Sequence, residues 1–555
     1  MSPETRRIII ASVLSVAIIT GWQLLFPQQP VKKPAPAATP AAPVPAAPAP
    51  APGAAAPSGA APAAPALAVE AVPDAPEELH TLRGEGFEAV LTSHGGALRH
   101  LVLQGKKFQK DEKGQRVPID LVRIAPGQPY PLATAASPEW GGAQDGAGDR
   151  SATAPMRVVA RDDRSITYEG RAGLASVRKT FRVTGKPFEL AVELAVDGPA
   201  GQPARPDTAL VLLYTGYFPP EAGSGGFFSG PPVEFVRPVC RAGEDTRRFD
   251  LGKGQKQEEG LVQWAGMDLG YFVAAVFPSA PVGSCAFTDG PTKGSGVTAV
   301  RLPVTGTSAA FELKLYAGPK DLDTLRSYGR EFGTALDYGW AARPFALFAR
   351  VLLYVLRWFE GISGSWGLAI ILLTVLVKVL LFPLTVTQIR SMNEMRKLQP
   401  EVEKLKAKFG ADKDKLNVAM MELYRVHKVN PLSGCLPLLL QMPIWFALYA
   451  TLQTSVELYA EPFLWMADLT RKDPYYVFPV AMGISQFLMQ KISPQPADAA
   501  QAKMMLYFMP VFFTFMMLAV PGGLTLYIFV NNVLSIAQQQ IMMRAMPATP
   551  APAKP

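Results

Sequence analysis

Hydrophobic positions follow two different patterns on either side of residue 340. Before that point, short runs alternate apolar and polar residues, which is typical of β-strands that bury one face. After it, long apolar runs are separated by polar segments, and runs of about 20 apolar residues can cross a hydrocarbon core of about 30 Å. The pattern predicts an all-β domain followed by a polytopic α-helical membrane region.

The β-rich domain is expected to span residues 77–340. Val177 and Phe181 alternate with Arg178 and Arg182, and the alternation resumes after a Thr-Gly-Lys turn, which indicates a hairpin. Strands at this spacing predict an antiparallel sandwich, which a polar helix follows at the end of the domain. The sequence shows no nucleophile elbow, phosphate loop or convincing acid pair, so we predict no catalytic residues and a binding or scaffolding role.

An apolar run at residues 8–26 follows a short segment, residues 1–7, that contains Arg6 and Arg7. We expect a retained transmembrane anchor rather than a cleaved signal peptide, because the run is longer than a usual signal core and lacks an Ala-x-Ala step. The Ala- and Pro-rich residues 27–76 cannot bury a core, so they are expected to form an extended linker.

Two basic segments are expected at the membrane surfaces. Arg350 and Arg357 lie seven residues apart on one face of an otherwise apolar segment, residues 341–360, which is typical of an amphipathic helix in the membrane interface. The polar and strongly basic residues 385–431 predict a helical hairpin that faces the cytoplasm.

Five more transmembrane helices are expected after the interfacial helix. They comprise residues 361–384, 432–458, 475–491, 504–520 and 522–541. With the anchor this makes six spans. The distribution of Lys and Arg places both termini, including the tail of residues 542–555, in the cytoplasm and the β-rich domain outside.

One charge interrupts the first of these five spans. Lys378 lies twelve residues after Trp366. At about 1.5 Å per residue, this places it roughly 18 Å from the interface that an aromatic residue prefers. A cation at that depth costs on the order of 3 kcal/mol unless it faces water or a partner. Two interpretations stay open: Lys378 extends to the nearer head groups, or it is the fixed charge of a polar cavity whose wall includes Thr374, one turn earlier.

The net charge and the cysteine and histidine content argue against nucleic-acid binding and against a metal site. The net charge of +8 is concentrated beside the expected spans, so it reports topology rather than nucleic-acid binding. The three cysteines, Cys240, Cys285 and Cys435, and the four histidines match no metal-ligand spacing, so no metal or cofactor is predicted. Whether Cys240 and Cys285 form a disulfide depends on export of their region and stays open.

Short motifs occur between about Asp337 and Arg544. They are Phe382-Pro-Leu-Thr, Met395-Arg-Lys-Leu-Gln-Pro, Val429-Asn-Pro-Leu-Ser-Gly-Cys, Asp473-Pro-Tyr-Tyr, Gly522-Gly-Leu-Thr-Leu-Tyr and Asn531-Asn. This set resembles the YidC family of membrane protein insertases. The anchor and the large outer β domain resemble the form found in bacteria with two membranes.

The resemblance implies a five-helix core with a hydrophilic groove that is open to cytoplasm and lipid, and a periplasmic domain of the supersandwich type. The groove charge of the family, usually arginine, falls on Lys378. The polar groove positions fall on Thr374, Gln441 and Asn532. The surface along which substrates slide falls near Cys435, Pro437, Met442, Pro510 and Phe513.

The resemblance also implies a function and partners. A multi-pass protein of the bacterial inner membrane would act as insertase and chaperone for nascent membrane proteins, alone or with the Sec translocon, and in contact with the lipid bilayer. The ribosome or the signal recognition machinery is a further possible partner, whereas enzymatic chemistry and nucleic acid are not expected.

Two other classes of protein are alternatives to an insertase. A secondary transporter would usually show repeated halves and ionisable relays, neither of which is obvious in the sequence. A membrane-tethered carbohydrate enzyme would place its chemistry in the β-rich domain. The sequence leaves open which proteins are inserted, how far Sec is needed, what the β-rich domain binds and whether the chain is oligomeric.

Overall fold

The structure is a computed structural model in which two regions are described: a β-rich domain and a group of helices. The described residues are 76–105, 107–112, 115–142, 150–199, 204–205, 207–219, 235–258, 260–338, 343–409, 412–427, 436–493 and 502–545. The expected anchor, nearly all of the expected linker and Cys435 lie outside them.

The β-rich domain is built from antiparallel strands. Within the described residues these are β1 Leu79–Gly84, β2 Phe87–Thr92, β3 Ala97–Leu103, β4 Gln109–Glu112, β5 Gln115–Pro118, β6 Thr134–Ala136, β7 Arg157–Arg161, β8 Ser165–Ala172, β9 Ala175–Val183, β10 Glu189–Asp197, β11 Ala209–Tyr217, β12 Arg237–Ala242, β13 Asp245–Arg248, β14 Gln255–Glu258, β15 Val262–Leu269, β16 Phe272–Pro278, β17 Ser284–Asp289, β18 Ser295–Pro303 and β19 Ser308–Pro319.

Two large sheets form the sandwich. One has the order β13-β12-β15-β16-β19-β10-β9-β8-β7 and the other β14-β17-β18-β11-β6, while β1-β2-β3 and β4-β5 form two smaller sheets. A single core cluster takes side chains from both large sheets, including Leu194, Leu212 and Phe287. The antiparallel two-sheet packing therefore agrees with the strand pattern, and the more specific supersandwich assignment stays a prediction.

The hairpin of β9 and β10 shows how alternation determines the fold. Val177 pairs with Val196 and Phe181 pairs with Val192, and all four side chains are buried. Arg178 and Arg182 point outward, whereas every second residue of β9 from Ala175 faces the core. Lys179 falls on the buried face, where its exposed fraction is 0%.

The buried Lys179 links three distant segments. Its Nζ donates hydrogen bonds to the carbonyl oxygens of Gly95 at 2.6 Å, Gly96 at 3.1 Å and Leu132 at 2.8 Å. Burial lowers the pKa of Lys179 to about 7. The three acceptors satisfy every donor of an ammonium group, which otherwise could not be buried without a large penalty.

A disulfide joins the two large sheets. Cys240 on β12 and Cys285 on β17 are bonded, with 2.15 Å between the sulfur atoms. This answers the question that the sequence left open. A bridge that closes a loop of 45 residues stabilises a domain by about 2–4 kcal/mol, chiefly by restricting the unfolded chain.

The second region is helical. The short α1, Leu322–Ser327, packs on the strands and ends the β-rich domain. The helices that follow within the described residues are α2 Ala346–Ser363, α3 Trp366–Leu380, α4 Phe382–Phe409, α5 Lys413–Val426, α6 Leu436–Thr454, α7 Val477–Ile492, α8 Met509–Met517 and α9 Gly522–Ala545, and a π-helical turn, Met504–Phe508, precedes α8. Taken singly, none of these helices is both long and apolar enough to cross a membrane. One pair reaches the length and apolar composition of a span when its two helices are counted together: Trp366–Leu380 and Phe382–Met395, which are bent by 62° against each other.

The helix bounds differ in part from the expected segments. The expected interfacial helix at 341–360 corresponds to α2, Ala346–Ser363. The expected span at 361–384 is divided, since α3 ends at Leu380 and α4 begins at Phe382. Pro383 explains the break, because it has no N–H to donate to the preceding turn.

Polar contacts attach the β-rich domain to the helices. The Arg357 guanidinium of α2 lies 3.0 Å from Asp321, 2.9 Å from Asp323 and within ion-pair distance of Glu457, which follows α6. The Tyr271 hydroxyl, beside β16, donates to the carbonyl of Leu452 in α6 at 2.6 Å. The last part of the β-rich domain is therefore fixed to α2 and α6.

Replacing Lys179 tests its role as a buried link. Lys179→Met keeps the length of the side chain but leaves three buried carbonyl groups without their donor, each of which costs about 1–3 kcal/mol. We expect the β-rich domain to melt at least 5 °C lower in thermal unfolding of the detergent-solubilised protein. The matched variant is Lys314→Met, because Lys314 lies on β19 with its side chain exposed. Equal melting temperatures for the two variants would contradict the structural role of Lys179.

Candidate functional site

The charge of Lys378 is directed into the helical region. Lys378 lies in the last turn of α3, and its Nζ donates a hydrogen bond to the Ser535 hydroxyl of α9 at 2.6 Å. Ser535 in turn donates to the backbone carbonyl of Asn531 at 2.7 Å. The side chain is only partly exposed. Of the two interpretations of Lys378, this geometry agrees with a charge that faces other helices.

A second polar contact lies on the same side of α9. Gln441 of α6 donates through Nε2 to the Tyr527 hydroxyl. Tyr527, Asn531 and Ser535 recur every four residues, so they share one face of α9. The side-chain oxygen of Asn531 is buried and has no hydrogen-bond partner among the described residues. This face therefore presents polar groups to both α3 and α6.

The other two expected groove residues occupy different surroundings. Thr374 is buried, and its hydroxyl donates to the Ile370 carbonyl of its own helix at 2.7 Å. Asn532 is also buried and donates to Ser485 and Gln486 of α7, each at 3.2 Å. Lys378 and Gln441 thus meet the same face of α9, whereas Asn532 connects α9 to α7.

Four of the five residues expected in the sliding surface lie in the described helices. Pro437 lies in the first turn of α6, and Met442 of the same helix is 37% exposed. Pro510, at the start of α8, is buried, whereas Phe513 is half-buried and contacts Phe512 with ring centroids 5.9 Å apart. The structure does not describe Cys435.

An apolar stripe follows the outer side of α8 and its preceding π-helical turn. The exposed large side chains Met504, Phe508, Val511 and Phe515 are spaced by four, three and four residues. This spacing places them on one face of a continuous helical segment. Gly483 allows α7 to approach the opposite side closely, because a Cβ at that position would lie 1.9 Å from the Thr514 hydroxyl.

A loop between α6 and α7 covers one end of the helices. Asp473, which opens the Asp-Pro-Tyr-Tyr motif, is buried and accepts hydrogen bonds from the Trp465 indole at 3.0 Å, the Tyr475 amide at 3.0 Å and the Phe478 amide at 2.8 Å. These bonds fix the loop to the start of α7. Asp473 therefore has a structural role: its carboxylate accepts from the second amide of α7, while the side chain of Tyr476, at the N-cap position, makes no capping bond.

Glycines allow the same loop to pack tightly. The Phe463 ring occupies the space beside Gly367 at the start of α3, since a Cβ on that glycine would come within 2.0 Å of the ring. The Gly522 amide, at the start of α9, donates to the Arg471 carbonyl at 2.7 Å. The loop thus contacts the first turns of α3, α7 and α9 on the side of the β-rich domain.

Exposed basic residues mark α4 and α5, which pack against each other. They include Arg390, Lys404, Lys408, Lys415 and Arg425. Ile389, Leu398 and Val402 of α4 are buried. Val418, Met421 and Val426 of α5 are all more than 60% exposed, so the pair combines a basic surface with an apolar one.

The motifs did not reveal two partners of the site. Ser535 accepts from the Lys378 ammonium and belongs to none of the motifs. Tyr527 accepts from the Gln441 amide and ends the Gly522 motif, but it was not assigned to the site. Their four-residue spacing with Asn531, within a largely apolar helix, is a signal that could have indicated a polar face. The arrangement holds a cation and several uncharged hydrogen-bonding groups between apolar helices, which suits non-covalent binding of a polar or acidic peptide segment.

Known proteins are similar to this chain over its whole length. Residues 358–549 match the family described as 60Kd inner membrane protein, and residues 81–355 match the family described as YidC periplasmic domain. A membrane protein insertase YidC of Anaeromyxobacter sp. (strain Fw109-5) is 65% identical over 557 residues, with 100% of both chains covered. One of Geotalea daltonii is 35% identical and covers 98% of this chain and 100% of the relative.

A solved structure is also similar. A crystal structure of an active YidC insertase, with its first transmembrane domain resolved, is 18% identical with a TM-score of 0.35, and the match covers 83% of this chain and 94% of that one. The family membership itself follows from the full-length relatives at 65% and 35% identity. They confirm the resemblance found in the motifs: the chain belongs to the YidC family of membrane protein insertases, which are not enzymes.

Proposed function

We propose that this protein receives nascent hydrophobic segments from the cytoplasm and releases them into the inner membrane, with Lys378 as the fixed positive charge of a hydrophilic groove. The observation that carries the proposal is the hydrogen bond from Lys378 Nζ to Ser535, which directs the ammonium toward α9. The groove comprises Lys378, Gln441 and the face of α9 with Tyr527 and Ser535. Thr374 and Asn532 support its walls.

The proposed topology has six spans with both termini in the cytoplasm and the β-rich domain in the periplasm. The disulfide between Cys240 and Cys285 supports an oxidising compartment for that domain. The exposed basic residues of α4 and α5 support a cytoplasmic position for this hairpin. The bent pair α3 and α4 then emerges from the membrane just beyond Lys378.

The groove acts through charge attraction. A substrate with a short acidic tail enters from the cytoplasmic side, where the ammonium attracts its carboxylates. Two unit charges 4 Å apart attract each other by about 4 kcal/mol at an effective dielectric constant of 20, against about 1 kcal/mol in water. A lysine supplies this attraction as a point charge, without the planar fork by which an arginine binds a carboxylate with two hydrogen bonds.

The apolar part of the substrate follows a separate path along α6 and α8. The proposed sliding surface comprises Met442 and Phe513 together with the family positions Pro437, Pro510 and Cys435. Burial of the segment in lipid supplies the driving force, at about 25 cal/mol per Å² of apolar surface. Flexible and aromatic side chains allow varied segments to pack there.

Closure at the periplasmic end makes the groove one-sided. The loop fixed by Asp473 and the packing of Phe463 on Gly367 cover the ends of the helices nearest the β-rich domain. Polar groups of a substrate then cross a shorter stretch of hydrocarbon, because water fills the groove from the cytoplasmic side.

We further propose partners and a fold for the outer domain. The Sec translocon is a partner for some substrates, and the ribosome or the signal recognition machinery delivers others. The outer domain is a supersandwich.

Removal of the groove charge should have a substrate-dependent effect. In vesicles reconstituted with Lys378→Ala, we expect insertion of a short single-span substrate with an acidic tail to fall about tenfold, equivalent to about 1.4 kcal/mol, while a neutral-tailed version changes less than twofold. Protease protection of the translocated tail measures both. Lys378→Arg should retain insertion of both.

The matched control is Lys491→Ala, which removes an exposed lysine from the end of α7 on the same proposed side of the membrane. It should leave both substrates unaffected. Equal losses for acidic and neutral tails in Lys378→Ala would contradict attraction by the groove charge.

The sliding surface can be tested by photo-crosslinking. A photoreactive amino acid at Met442 should capture the apolar segment of a stalled substrate several times more often than one at Val533, although Val533 of α9 is slightly more exposed, 44% against 37%. Crosslinked products are quantified by immunoprecipitation of the substrate. Equal capture at the two positions would indicate contact from bulk lipid rather than along α6.

Deletion of the β-rich domain separates an insertase from a membrane-tethered carbohydrate enzyme. Removal of residues 77–316 keeps Asp321 and Asp323 for the contact with Arg357. We expect insertion in reconstituted vesicles to remain within about threefold of the full chain, because the groove and sliding surface lie elsewhere. Loss of insertion in a truncated protein whose helical part still resists protease would contradict this assignment.

A further inference from the structure

A second charged site lies between the β-rich domain and α2. It is a cleft of about 650 Å³ bounded by β12, β13, α1, the segment after α1 and the start of α2. Its lining is strongly basic, with five arginines against two carboxylates. These are Arg241, Arg248, Arg326, Arg330 and Arg350, and Glu331 and Asp337.

Two of the arginines serve the structure of the cleft. Arg330 donates to the backbone carbonyls of Gln263 at 3.3 Å, Ser279 at 2.7 Å and Pro278. Arg248 donates to a backbone carbonyl of the opposite wall, and its Nε lies 3.7 Å from Asp337. Both guanidinium groups therefore hold the walls of the cleft together.

The other three arginines leave positive charge in the cleft. Arg241 donates to the Thr246 hydroxyl at 3.1 Å, and its Nε is buried without a hydrogen-bond partner among the described residues. Arg326 is exposed at the end of α1, and Arg350 is half-buried on α2. Within the described part of the chain, none of these three forms an ion pair with a carboxylate. An anion in the cleft would supply the missing acceptor.

The cleft borders an apolar face of α2, because Arg350 of α2 lines the cleft. The exposed side chains Leu347, Val351, Tyr354, Trp358 and Ile362 lie on one face of α2. Ala349 and Leu356, on the opposite face, are buried against the protein. At 100° per residue, Arg350 falls at the border between these faces. A ligand that enters the cleft with a charged group can therefore lay apolar chains along α2.

A phospholipid combines these two properties. We infer that the cleft binds the phosphodiester head group of an anionic lipid of the periplasmic leaflet, while its acyl chains follow the exposed face of α2. The inference rests on the proposed position of α2 in the membrane interface. Arginine is well suited to the site, because its planar fork binds phosphate oxygens with two hydrogen bonds. Such a lipid would brace the β-rich domain against the bilayer beside the contact of Arg357 with Asp321.

The experiment measures lipid binding by native mass spectrometry on the full chain in detergent. We expect the wild-type protein to retain phosphatidylglycerol at least tenfold more strongly than phosphatidylcholine. The triple variant Arg241→Gln, Arg326→Gln and Arg350→Gln should lose this preference, since each basic residue near the head group contributes several-fold to the affinity. Arg326→Gln alone should weaken binding several-fold, and because Arg326 is exposed its replacement does not disturb the fold.

Three comparisons make the result specific. A control triple variant, Arg161→Gln, Arg171→Gln and Arg178→Gln, removes the same charge from exposed positions on β7–β9 and should keep the preference. Lys378→Ala should also keep it, so that failure of the groove and failure of the cleft are distinguishable. Equal binding of phosphatidylglycerol by the cleft variant and the wild type would overturn the inference. So would displacement of the lipid by equimolar inorganic phosphate or by an acidic peptide.

Discussion

The contact between Lys378 and Ser535 is the interaction on which the proposed groove depends. A cation within the hydrocarbon region costs on the order of 3 kcal/mol. A hydrogen bond from a charged donor recovers about 1.5–3 kcal/mol, and the position in the last turn of α3 adds about 0.3–1 kcal/mol through the helix dipole. These terms are of the same size as the cost. They hold the ammonium toward α9, and among the described residues Ser535 takes one of its three donors, which leaves two for water or a carboxylate.

The rest of the structure limits access to that charge. On the side of the β-rich domain, Asp473 fixes the loop between α6 and α7 to the start of α7, and Phe463 packs on Gly367. Arg357 joins α2 to Asp321 of the β-rich domain. The same end of the molecule is thus covered and anchored, whereas the opposite end carries the basic pair α4 and α5. This asymmetry supports the proposed path that opens toward one compartment.

Sequence periodicity predicted the β9–β10 hairpin, because alternation with a period of two directly reports which face is buried. The same alternation places Lys179 on that face, but it does not show which groups satisfy a buried ammonium. The three carbonyl groups that make this possible come from turns 47 to 84 residues away in the chain. Lys378 is a comparable case. The sequence identifies it as an unusual charge, but its partner Ser535 is 157 residues away in the chain, so only the packed structure shows the contact.

Motifs were informative about the family and less so about individual roles. The Asp-Pro-Tyr-Tyr motif indicated membership, and the structure shows that Asp473 is a buried acceptor for an amide of α7 rather than a groove residue. Thr374 bonds to its own helix and Asn532 to α7, so their place in the groove stays a prediction. Such distinctions depend on the direction of side chains on packed helices, which a linear pattern does not contain.

Water access to the groove tests the central claim most directly. In a chain with Cys435→Ser, the variant Ser535→Cys places a thiol beside the Lys378 ammonium without removing the charge. A membrane-impermeant maleimide should label it from the cytoplasmic face of inverted vesicles and not from the periplasmic face of spheroplasts, while Val533→Cys stays unlabelled from both. Absence of labelling from the cytoplasmic face, or labelling from the periplasm, would contradict a hydrated groove around Lys378.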